Sequence, residues 1–598
     1  MTAPYGASVL RGKTHFRVRS PQASALWLCL FDGAQEQRIA MTRQGEDWIA
    51  ALPGDHAGTR YGYRADGLWD PPCGAWFDPA KLLVDPYAIE LDQRFVQDPR
   101  LAQYGADTAA LIPKALVPAK LPVVRKAKPR FAPGGLIYEL NVRGFTMLHP
   151  DVSPQQRGTV AALAHPAIIA HFQKLRVSAV ELMPVTAWID ERHLPPLGLA
   201  NAWGYNPVAA MALDPGLCPG GVAELRETVA ALHSAGIGVI LDLVFNHTGE
   251  SDIHGGVLSL RGLDNAAYAY APDGALINDT GCGNTLNFAN PAVRELTLSS
   301  LRHFVRHCGV DGFRFDLAPI MARGPGFDPA APLFAEIAAD PWLADRVLIA
   351  EPWDIGPGGY QLGRFPAGWL EWNDRFRDDV RRFWRGDGTV GALVTRIAGS
   401  SDLFGAQCRS VNFLAAHDGL TLADTVAFET RHNHANGEAG RDGHGENFSW
   451  NNGAEGPSAD PAIVAARAAD LRALLGTLFA STGTIMLTAG DEFGRTQHGN
   501  NNAYAQDNAA FWIDWATRDQ TLEDCVAALA HQRTEHGMWA ARFPEPGVWR
   551  KPDSGPMTAE DWESAATDGV IYAPTAETGI GTLQISRSER KAGWIVPH

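Results

Sequence analysis

The sequence predicts an α/β fold: a (β/α)₈ TIM barrel with a β-sandwich before it and a small β-domain after it. Short strand patterns separated by Gly, Pro and Asp fill residues 8–100. From Leu136 the pattern changes to alternating strands and helices, and short strand patterns return after residue 540. These changes of pattern predict an N-terminal domain at 1–110, a linker at 111–134, the barrel at 135–540 and a C-terminal domain at 541–598.

The N-terminal region is predicted to be a sandwich because its strand patterns alternate with turn residues at regular intervals. ALWLCLFDG and RYGYRADG are two such runs. The segment that follows, ALVPAKLPVVRKAKPRFAPGG, is rich in Pro, Lys and Ala, a composition typical of a linker.

Barrel strands are predicted from near-continuous apolar runs, the pattern of parallel strands that are buried on both faces. Seven segments have it, at residues 136–145, 177–185, 237–248, 312–316, 346–354, 410–419 and 483–494. One of the helices between them is expected to begin after the cap Asn290 and to end at Gly309. Another is predicted near 522–536.

The composition excludes several classes of partner. The chain has 598 residues, 45% of them apolar, and 51 Lys and Arg against 67 Asp and Glu give a net charge of −16. Nucleic acid is therefore not expected as a partner, because phosphate binding needs a basic face. No run of about 18 apolar residues predicts a membrane span, and the N-terminus has no signal-peptide pattern.

The seven cysteines are scattered and form no CxxC pair. This spacing favours reduced thiols in a cytoplasmic protein and provides no zinc motif. No feature of the sequence predicts an oligomeric state.

The stretch GVDGFRFDLAP, residues 309–319, is unusual because it combines aromatic and charged residues with the period of a strand. Phe313 and Phe315 alternate with Arg314 and Asp316. Charges on a buried strand are unfavourable unless they are paired or used. We therefore expect the aromatic rings to pack outward on helices and the two charges to point into the mouth of the barrel.

Polar residues also end three other predicted strands. They are Asp242, Asn246 and His247; Glu351 and Trp353; and His417 and Asp418. In a (β/α)₈ barrel the carboxyl ends of the strands meet at one mouth, where catalytic groups are found. Four strands are therefore expected to direct charged groups into one pocket.

Three of the carboxyl groups, those of Asp316, Glu351 and Asp418, suit hydrolysis of a glycosidic bond. That reaction needs one carboxylate that faces the sugar and one carboxylic acid that protonates the departing oxygen. Arg314 is expected to hold Asp316 ionised, whereas anionic neighbours favour a protonated Glu351.

Sugar contacts are expected from three further residues. His247 and His417 are expected to hydrogen-bond sugar hydroxyls, and Tyr205 in WGYNP to offer its ring face. Taken singly, His247 and Tyr205 are better explained as core residues, and Asp242 as a structural residue at a strand end. A cluster at four strand ends favours a catalytic site.

The motifs DLVFNH (242–247), GFRFD (312–316), AEPWD (350–354) and AAHDG (415–419) resemble those of the α-amylase superfamily of glycoside hydrolases, in the same order. Within it the chain is similar to the bacterial glycogen-debranching enzymes, close to isoamylase. YELNVRGFT (138–146) and GDEFGRTQHGNNNAYAQDN (490–508) carry this similarity, which covers nearly the whole chain. The resemblance implies that the N-terminal sandwich is a carbohydrate-binding domain.

The resemblance also implies roles for the matching residues. Asp316 is expected to be the nucleophile of a retaining reaction, Glu351 the general acid and base, and Asp418 the residue that stabilises the transition state. Arg314 is expected to orient Asp316. The same resemblance implies that His247, His417 and Tyr205 hold the sugar.

Hydrolysis of α-1,6 branches in glycogen or branched malto-oligosaccharides is expected from the same resemblance. The α-1,4 hydrolases of the family often carry Lys-His shortly after the nucleophile, where this chain has Leu-Ala-Pro-Ile at 317–320. Asn141 and Thr186 stand where His is common in the family, and these differences bear on the sugar subsites.

Two alternatives remain open at this point: a branching transferase that acts on α-1,4-glucan, and a catalytically silent glucan-binding protein. The debrancher-like stretches argue against the first, and the complete trio of carboxyl groups argues against the second. No cofactor is expected for hydrolysis of this type, and no loop has the ligand pattern of a calcium site.

Overall fold

Residues 3–324, 326–575 and 581–596 are described by the computed structural model of the chain. Residues 576–580, 597 and 598 of the predicted C-terminal domain lie outside these ranges. The described residues form an N-terminal module built mainly of two four-stranded sheets, a closed barrel of eight parallel strands and a four-stranded C-terminal sheet, so the predicted fold class is confirmed.

The N-terminal module is built from short antiparallel strands. They are β1 (Gly6–Leu10), β2 (Lys13–Arg19), β3 (Ala25–Asp32), β4 (Gln35–Ala40), β5 (Thr42–Gln44), β6 (Asp47–Pro53), β7 (Arg60–Asp66), β8 (Trp69–Asp70), β9 (Ala75–Trp76) and β10 (Ala115–Leu116). Its two four-stranded sheets have the orders β1-β2-β6-β5 and β10-β7-β3-β4, and β8 pairs with β9. Strand β10 falls in the stretch predicted as linker, where it completes the second sheet by pairing with β7.

The module shares a hydrophobic core with loops of the barrel, including Leu258 and Leu263. Two buried tyrosines of β7, Tyr61 and Tyr63, donate hydrogen bonds to Asp85 at 3.0 and 2.9 Å. Since buried polar groups are unfavourable without partners, these bonds stabilise the segment that follows β9.

The barrel strands are β11 (Leu136–Leu140), β12 (Ala179–Leu182), β13 (Gly238–Leu243), β14 (Gly312–Phe315), β15 (Val347–Ala350), β16 (Trp369–Asn373), β17 (Ser410–Asn412) and β18 (Thr484–Thr488). Each pairs in parallel with the next, and β18 closes the barrel on β11. Seven strands lie in the predicted segments. Strand β16 is missing from the prediction because Glu371 interrupts its apolar run. In the fold, Glu371 Oε1 lies 3.0 Å from Nη1 of Arg409, the residue just before β17.

Side chains alternate between the inside and the outside of the barrel. Ile137, Ile240 and Met486 belong to the apolar cluster inside it. Phe313 and Phe315 belong instead to the layer between strands and helices, and the Phe315 ring lies 5.1 Å from that of Trp369. The prediction that these two rings face outward is confirmed.

The helices are α1 (Val142–Thr146), α2 (Pro166–Lys174), α3 (Gly221–Ser234), α4 (Leu260–Leu263), α5 (Pro291–Cys308), α6 (Pro332–Ala339), α7 (Asp374–Arg385), α8 (Val390–Ile397), α9 (Ser401–Phe404), α10 (Leu422–Thr425), α11 (Pro461–Ala480), α12 (Gln520–His536) and α13 (Ala559–Glu563). Helix α5 begins and ends as predicted, because Asn290 accepts the Ala292 N–H and Gly309 has a φ of 81°. Among the described residues, no helix is long and apolar enough to cross a membrane.

The C-terminal sheet contains β19 (Gly547–Arg550), β20 (Gly569–Pro574), β21 (Thr582–Ser586) and β22 (Lys591–Ile595) in sequence order. It packs on helix α11, where the Trp594 indole donates a hydrogen bond to the Ala480 carbonyl at 3.0 Å. Gly476 lets the two elements approach closely, because a Cβ at this position would lie 2.2 Å from the Ala592 carbonyl oxygen.

We therefore expect Gly476→Ala to lower the free energy of unfolding by about 1–3 kcal/mol, because the added methyl forces helix and sheet apart. Thermal unfolding of the purified variant measures the effect. Gly326→Ala is the matched control, since a Cβ there meets no atom within 4 Å. Equal melting temperatures for the two variants would contradict this account of the contact.

Candidate active site

Arg314, at the end of β14, lies at the centre of the barrel mouth with a fully buried side chain. Its Nη1 is 2.9 Å from Asp316 Oδ1 and 3.0 Å from Asp242 Oδ1. Its Nη2 is 3.1 Å from Glu351 Oε1. One guanidinium therefore contacts carboxyl groups from three neighbouring strand ends, which explains why β14 carries opposite charges on its inner face.

Trp372 of β16, which was not predicted from the sequence, lies against this guanidinium. Arg314 Cζ is 4.3 Å from the centre of the indole ring. A cation held on an aromatic face in a desolvated site gains about 2 kcal/mol. The site therefore includes a fifth strand, β16, which lies between the strands that carry Glu351 and Asp418.

Asp316 directly follows β14 and is held by two donors. Arg314 contacts its Oδ1, and the Asn246 amide donates to its Oδ2 at 2.8 Å. Asn246 also donates to the Asp316 backbone carbonyl at 2.9 Å. The carboxylate is thus fixed while its side chain keeps 12% of its surface exposed, an arrangement suited to attack on a bound substrate.

Glu351 follows β15 and accepts a hydrogen bond from the Leu317 N–H at 2.6 Å on its second oxygen. Leu317, which donates this bond, has a φ of 40°, in the left-handed region that non-glycine residues seldom adopt. Burial raises the pKa of Glu351 to about 8, with the charges of Asp316 and Asp418 adding to the shift and Arg314 opposing it. The group can therefore hold a proton near neutral pH and donate it.

Asp418, the third carboxyl group, accepts a hydrogen bond from His444 Nε2 at 2.9 Å. Burial opposes ionisation, but the His444 bond and the charges of His417 and Arg377 hold the pKa of Asp418 well below its ordinary value. It is therefore a permanent negative charge at the mouth. His444 belongs to a long loop after β17 and was not predicted, because nothing in the sequence pairs it with a residue 26 positions away.

Tyr205 and His417 stack, with ring centres 4.7 Å apart and an angle of 25°. The tyrosine hydroxyl donates to Asp242, and His417 Nδ1 lies 2.7 Å from Glu139 Oε1. Burial lowers the pKa of His417, but Glu139 outweighs it and raises the pKa to about 9. A charged imidazole therefore supports one face of the Tyr205 ring.

His247 lies behind these groups and is 2% exposed. Its Nε2 is 2.9 Å from the Tyr205 carbonyl oxygen, and its Nδ1 faces Asn246 Oδ1. In this position His247 supports Asn246, which holds Asp316, and the backbone of Tyr205. The contact with a sugar hydroxyl expected from the sequence would require the ring to leave one of these partners.

Asn141 has a structural part in the same mouth. Its side chain accepts the Gly144 N–H and donates to the Ala202 carbonyl, both at 2.8 Å. It thereby caps helix α1 and holds the segment that leads to Tyr205. Thr186 is 3% exposed and is also part of the supporting framework.

Glu181 of β12 is a further buried carboxyl group that was not predicted from the sequence. It lies in register with Glu139, and neither of its carboxyl oxygens has a hydrogen-bond partner in the described chain. Burial raises its pKa well above the ordinary value, and the charges of Asp242 and Glu139 add to this shift against Arg314. Its surroundings therefore favour the protonated, neutral form. A Glu inside the apolar run VSAVELMPV was the available signal.

No group of three or more His, Cys, Asp and Glu side chains suited to a metal ion occurs within residues 3–324, 326–575 and 581–596. Three carboxyl groups of the mouth lie instead against nitrogen groups of the protein: Glu351 against Arg314, Glu139 against His417, and Asp418 against His444.

The chain is similar to known proteins over nearly its whole length. Residues 4–88 match the family model for carbohydrate-binding module 48, the isoamylase N-terminal domain. The glycogen debranching enzyme of Serratia proteamaculans is 46% identical over 94% of this chain and 89% of its own. That of Yersinia enterocolitica is 48% identical over 99% of this chain and 91% of its own.

The chain belongs to the family of glycogen debranching enzymes.

Solved structures of pullulanases share the fold of this debranching-enzyme chain. The pullulanase of Anoxybacillus sp. LM18-11, complexed with maltotetraose, superposes with a TM-score of 0.69 at 23% identity, over 95% of this chain and 78% of its own. The type I pullulanase of Bacillus subtilis, complexed with maltose, gives 0.70 at 21% identity, over 96% and 76%.

The raised pKa of Glu181 predicts how the free energy of unfolding depends on pH. Its ordinary pKa is 4.5 and the folded value is higher, so above pH 4.5 the folded chain holds a proton that the unfolded chain has lost. The contribution of Glu181 to the free energy of unfolding is then fully present below pH 4.5. Between that pH and the folded pKa it decreases by about 1.4 kcal/mol per pH unit. Glu181→Gln removes this loss, and its melting temperature relative to wild type should rise as the pH increases above about 5.

Glu227→Gln, on the exposed face of helix α3, is the control and should show a constant difference from wild type over the same range. A constant difference for Glu181→Gln as well would mean that Glu181 is already ionised at the lower pH.

Proposed function

We propose that this chain hydrolyses α-1,6-glucosidic branch linkages in glycogen or its limit dextrins and retains the anomeric configuration. The observation that carries the proposal is the position of Arg314, 2.9 Å from Asp316 and 3.1 Å from Glu351. It holds together one fixed carboxylate and one carboxyl group whose pKa is about 8. Family membership supports the choice of the α-1,6 linkage.

The first step forms a covalent intermediate. Asp316 Oδ attacks the anomeric carbon of the branch, and the bond from that carbon to the O6 oxygen of the main chain breaks. Glu351 donates its proton to O6, which leaves as a hydroxyl group. The products of this step are a glycosyl ester on Asp316 and a main chain that has lost its branch.

The second step returns the enzyme to its starting state. Ionised Glu351 takes a proton from water, whose oxygen attacks the anomeric carbon and releases Asp316. The two displacements together retain the configuration, and Glu351 is protonated again. Atoms and charge balance without a cofactor.

Arg314 contributes in both steps because it contacts both reacting carboxyl groups. As Asp316 loses charge to the ester, Glu351 gains charge by losing its proton. The guanidinium lies close to each group, so it can stabilise this transfer of charge without moving, as a pre-organised site does.

Asp418 is proposed to bind hydroxyl groups of the distorted sugar in the transition state. Tyr205 is proposed to stack on that sugar with the ring face that His417 does not cover, because aromatic rings bind the apolar faces of sugars. The partners of the enzyme are accordingly glycogen or branched malto-oligosaccharides.

The N-terminal module is proposed to contribute glucan contacts, in line with its match to a carbohydrate-binding family. We place the protein in the cytoplasm, where thiols stay reduced, because its cysteines show no pairing pattern.

Product analysis tests the proposal on two substrates, phosphorylase-limit dextrin and linear amylose. Short linear oligosaccharides and new reducing ends from the dextrin, with amylose intact, are the expected result. Asp316→Asn should lower kcat by about 10⁴-fold or more, because it removes the nucleophile. Asp328→Asn, an exposed residue of the same βα unit, is the control with wild-type rates.

Cleavage of amylose would instead indicate an α-1,4 hydrolase. Altered branching without new reducing ends would indicate the branching transferase. An inert protein that binds both glucans would indicate the silent binder.

A further inference from the structure

Asp418 is held differently from the other two carboxyl groups of the site. Asp316 and Glu351 both contact Arg314, whereas the hydrogen bond to the Asp418 carboxylate in the described chain comes from His444. The Asp418 side chain keeps 26% of its surface exposed. Its orientation therefore depends on a residue outside the barrel strands.

His444 is brought to Asp418 by one buried asparagine, Asn501, which is 1% exposed. The Asn501 amide donates to the His444 backbone carbonyl at 2.9 Å. The Asn501 backbone carbonyl accepts a hydrogen bond from the backbone N–H of Gly419, the residue after Asp418, also at 2.9 Å. The same residue thus fixes the backbone on both sides of the His444–Asp418 bond.

The loop fits closely around Asn501. Asn433 exchanges two hydrogen bonds with it, at 2.7 and 2.9 Å, and Asn447 accepts a third at 2.8 Å. Gly443 has a φ of 75°, and a Cβ on it would lie 2.2 Å from Asn501 Oδ1. This position therefore requires glycine, and the backbone just before His444 has little freedom.

We propose that His444 is a positioning residue for Asp418 and that the loop bearing it sets the orientation of this carboxylate for the transition state. The proposal rests on the proposed function, in which Asp418 binds the distorted sugar. A carboxylate with a charge-assisted or neutral N–H donor has one preferred direction, and without the donor its side chain is free to rotate.

We expect substitutions of His444 to change kcat more than KM, because Asp418 acts in the transition state more than in the substrate complex. His444→Ala should lower kcat by about 10- to 100-fold, the range for a lost hydrogen bond to a charged group, with little change in KM. His444→Gln keeps an N–H at the place of Nε2 and should restore most of the rate. His444→Asn is too short to reach and should resemble the alanine variant.

The pH profile gives a second readout. His444, His417 and Arg377 face Asp418 and favour its ionised form, and Glu351 faces it with the opposite effect. Removal of His444 should therefore move the acid limb of kcat to higher pH. His434→Ala, an exposed residue of the same loop with no side-chain hydrogen bond in the described chain, is the control and should keep the wild-type rate and profile.

The positioning role of His444 would be overturned by equal losses of kcat in the Ala, Gln and Asn variants, or by an unchanged kcat in His444→Ala. In either case, cleavage of the dextrin by the wild type would still support the proposed function. If wild type cuts amylose instead, the linkage is wrong, and the same variant order on amylose still tests His444. If the wild type cuts neither glucan, that result contradicts the proposed function and not the role of His444. Crystal structures then decide: an unmoved Asp418 in His444→Ala overturns the positioning role, and a rotated Asp418 supports it.

Discussion

The buried guanidinium of Arg314 is the interaction on which the site depends. A fully buried charge is strongly unfavourable in isolation, and here Asp242, Asp316 and Glu351 compensate it from three strand ends while Trp372 covers its face. Removal of the cation would leave these carboxyl groups facing one another. The barrel therefore needs Arg314 for its own stability as much as for its chemistry.

The second constraint is a shortage of positive charge around that guanidinium. The carboxyl groups of Glu139, Glu181, Asp242, Asp316 and Glu351 share the inside of the barrel mouth, while the cations among them are Arg314 and His417. Not every carboxyl group can ionise in such a site, so protons remain on some of them. Burial raises the pKa values of Glu181 and Glu351, and the neighbouring negative charges add to the shift. Together these effects separate the proposed acid, Glu351, from the proposed nucleophile, Asp316.

Much of the fold and the central charges could be predicted because they are local patterns. The alternation of Phe313 and Phe315 with Arg314 and Asp316 gives both the strand and its inward face. Glu371 prevented the prediction of β16, since its partner Arg409 lies 38 positions later and only the barrel brings the two together.

The residues that hold the carboxyl groups in place were not predicted, again because their partners are distant in the sequence. His444 and Asn501 come from loops whose contacts depend on the whole fold, and no periodicity marks them. Glu181 looks like an interruption in an apolar run until its neighbours are known. Local sequence thus predicts the carboxyl groups of the barrel mouth, while the residues that hold them are found only from the three-dimensional structure.

The most direct test of this account is the action of the Glu351→Gln variant on two substrates that differ in their need for an acid. An α-maltosyl fluoride has a leaving group that departs without a proton, whereas the branch oxygen of limit dextrin requires one. The account predicts a burst of about one fluoride per active site followed by slow turnover, and almost no cleavage of the dextrin. A variant that loses both activities equally, or that still cuts the dextrin at the wild-type rate, would contradict the separation of acid and nucleophile around Arg314.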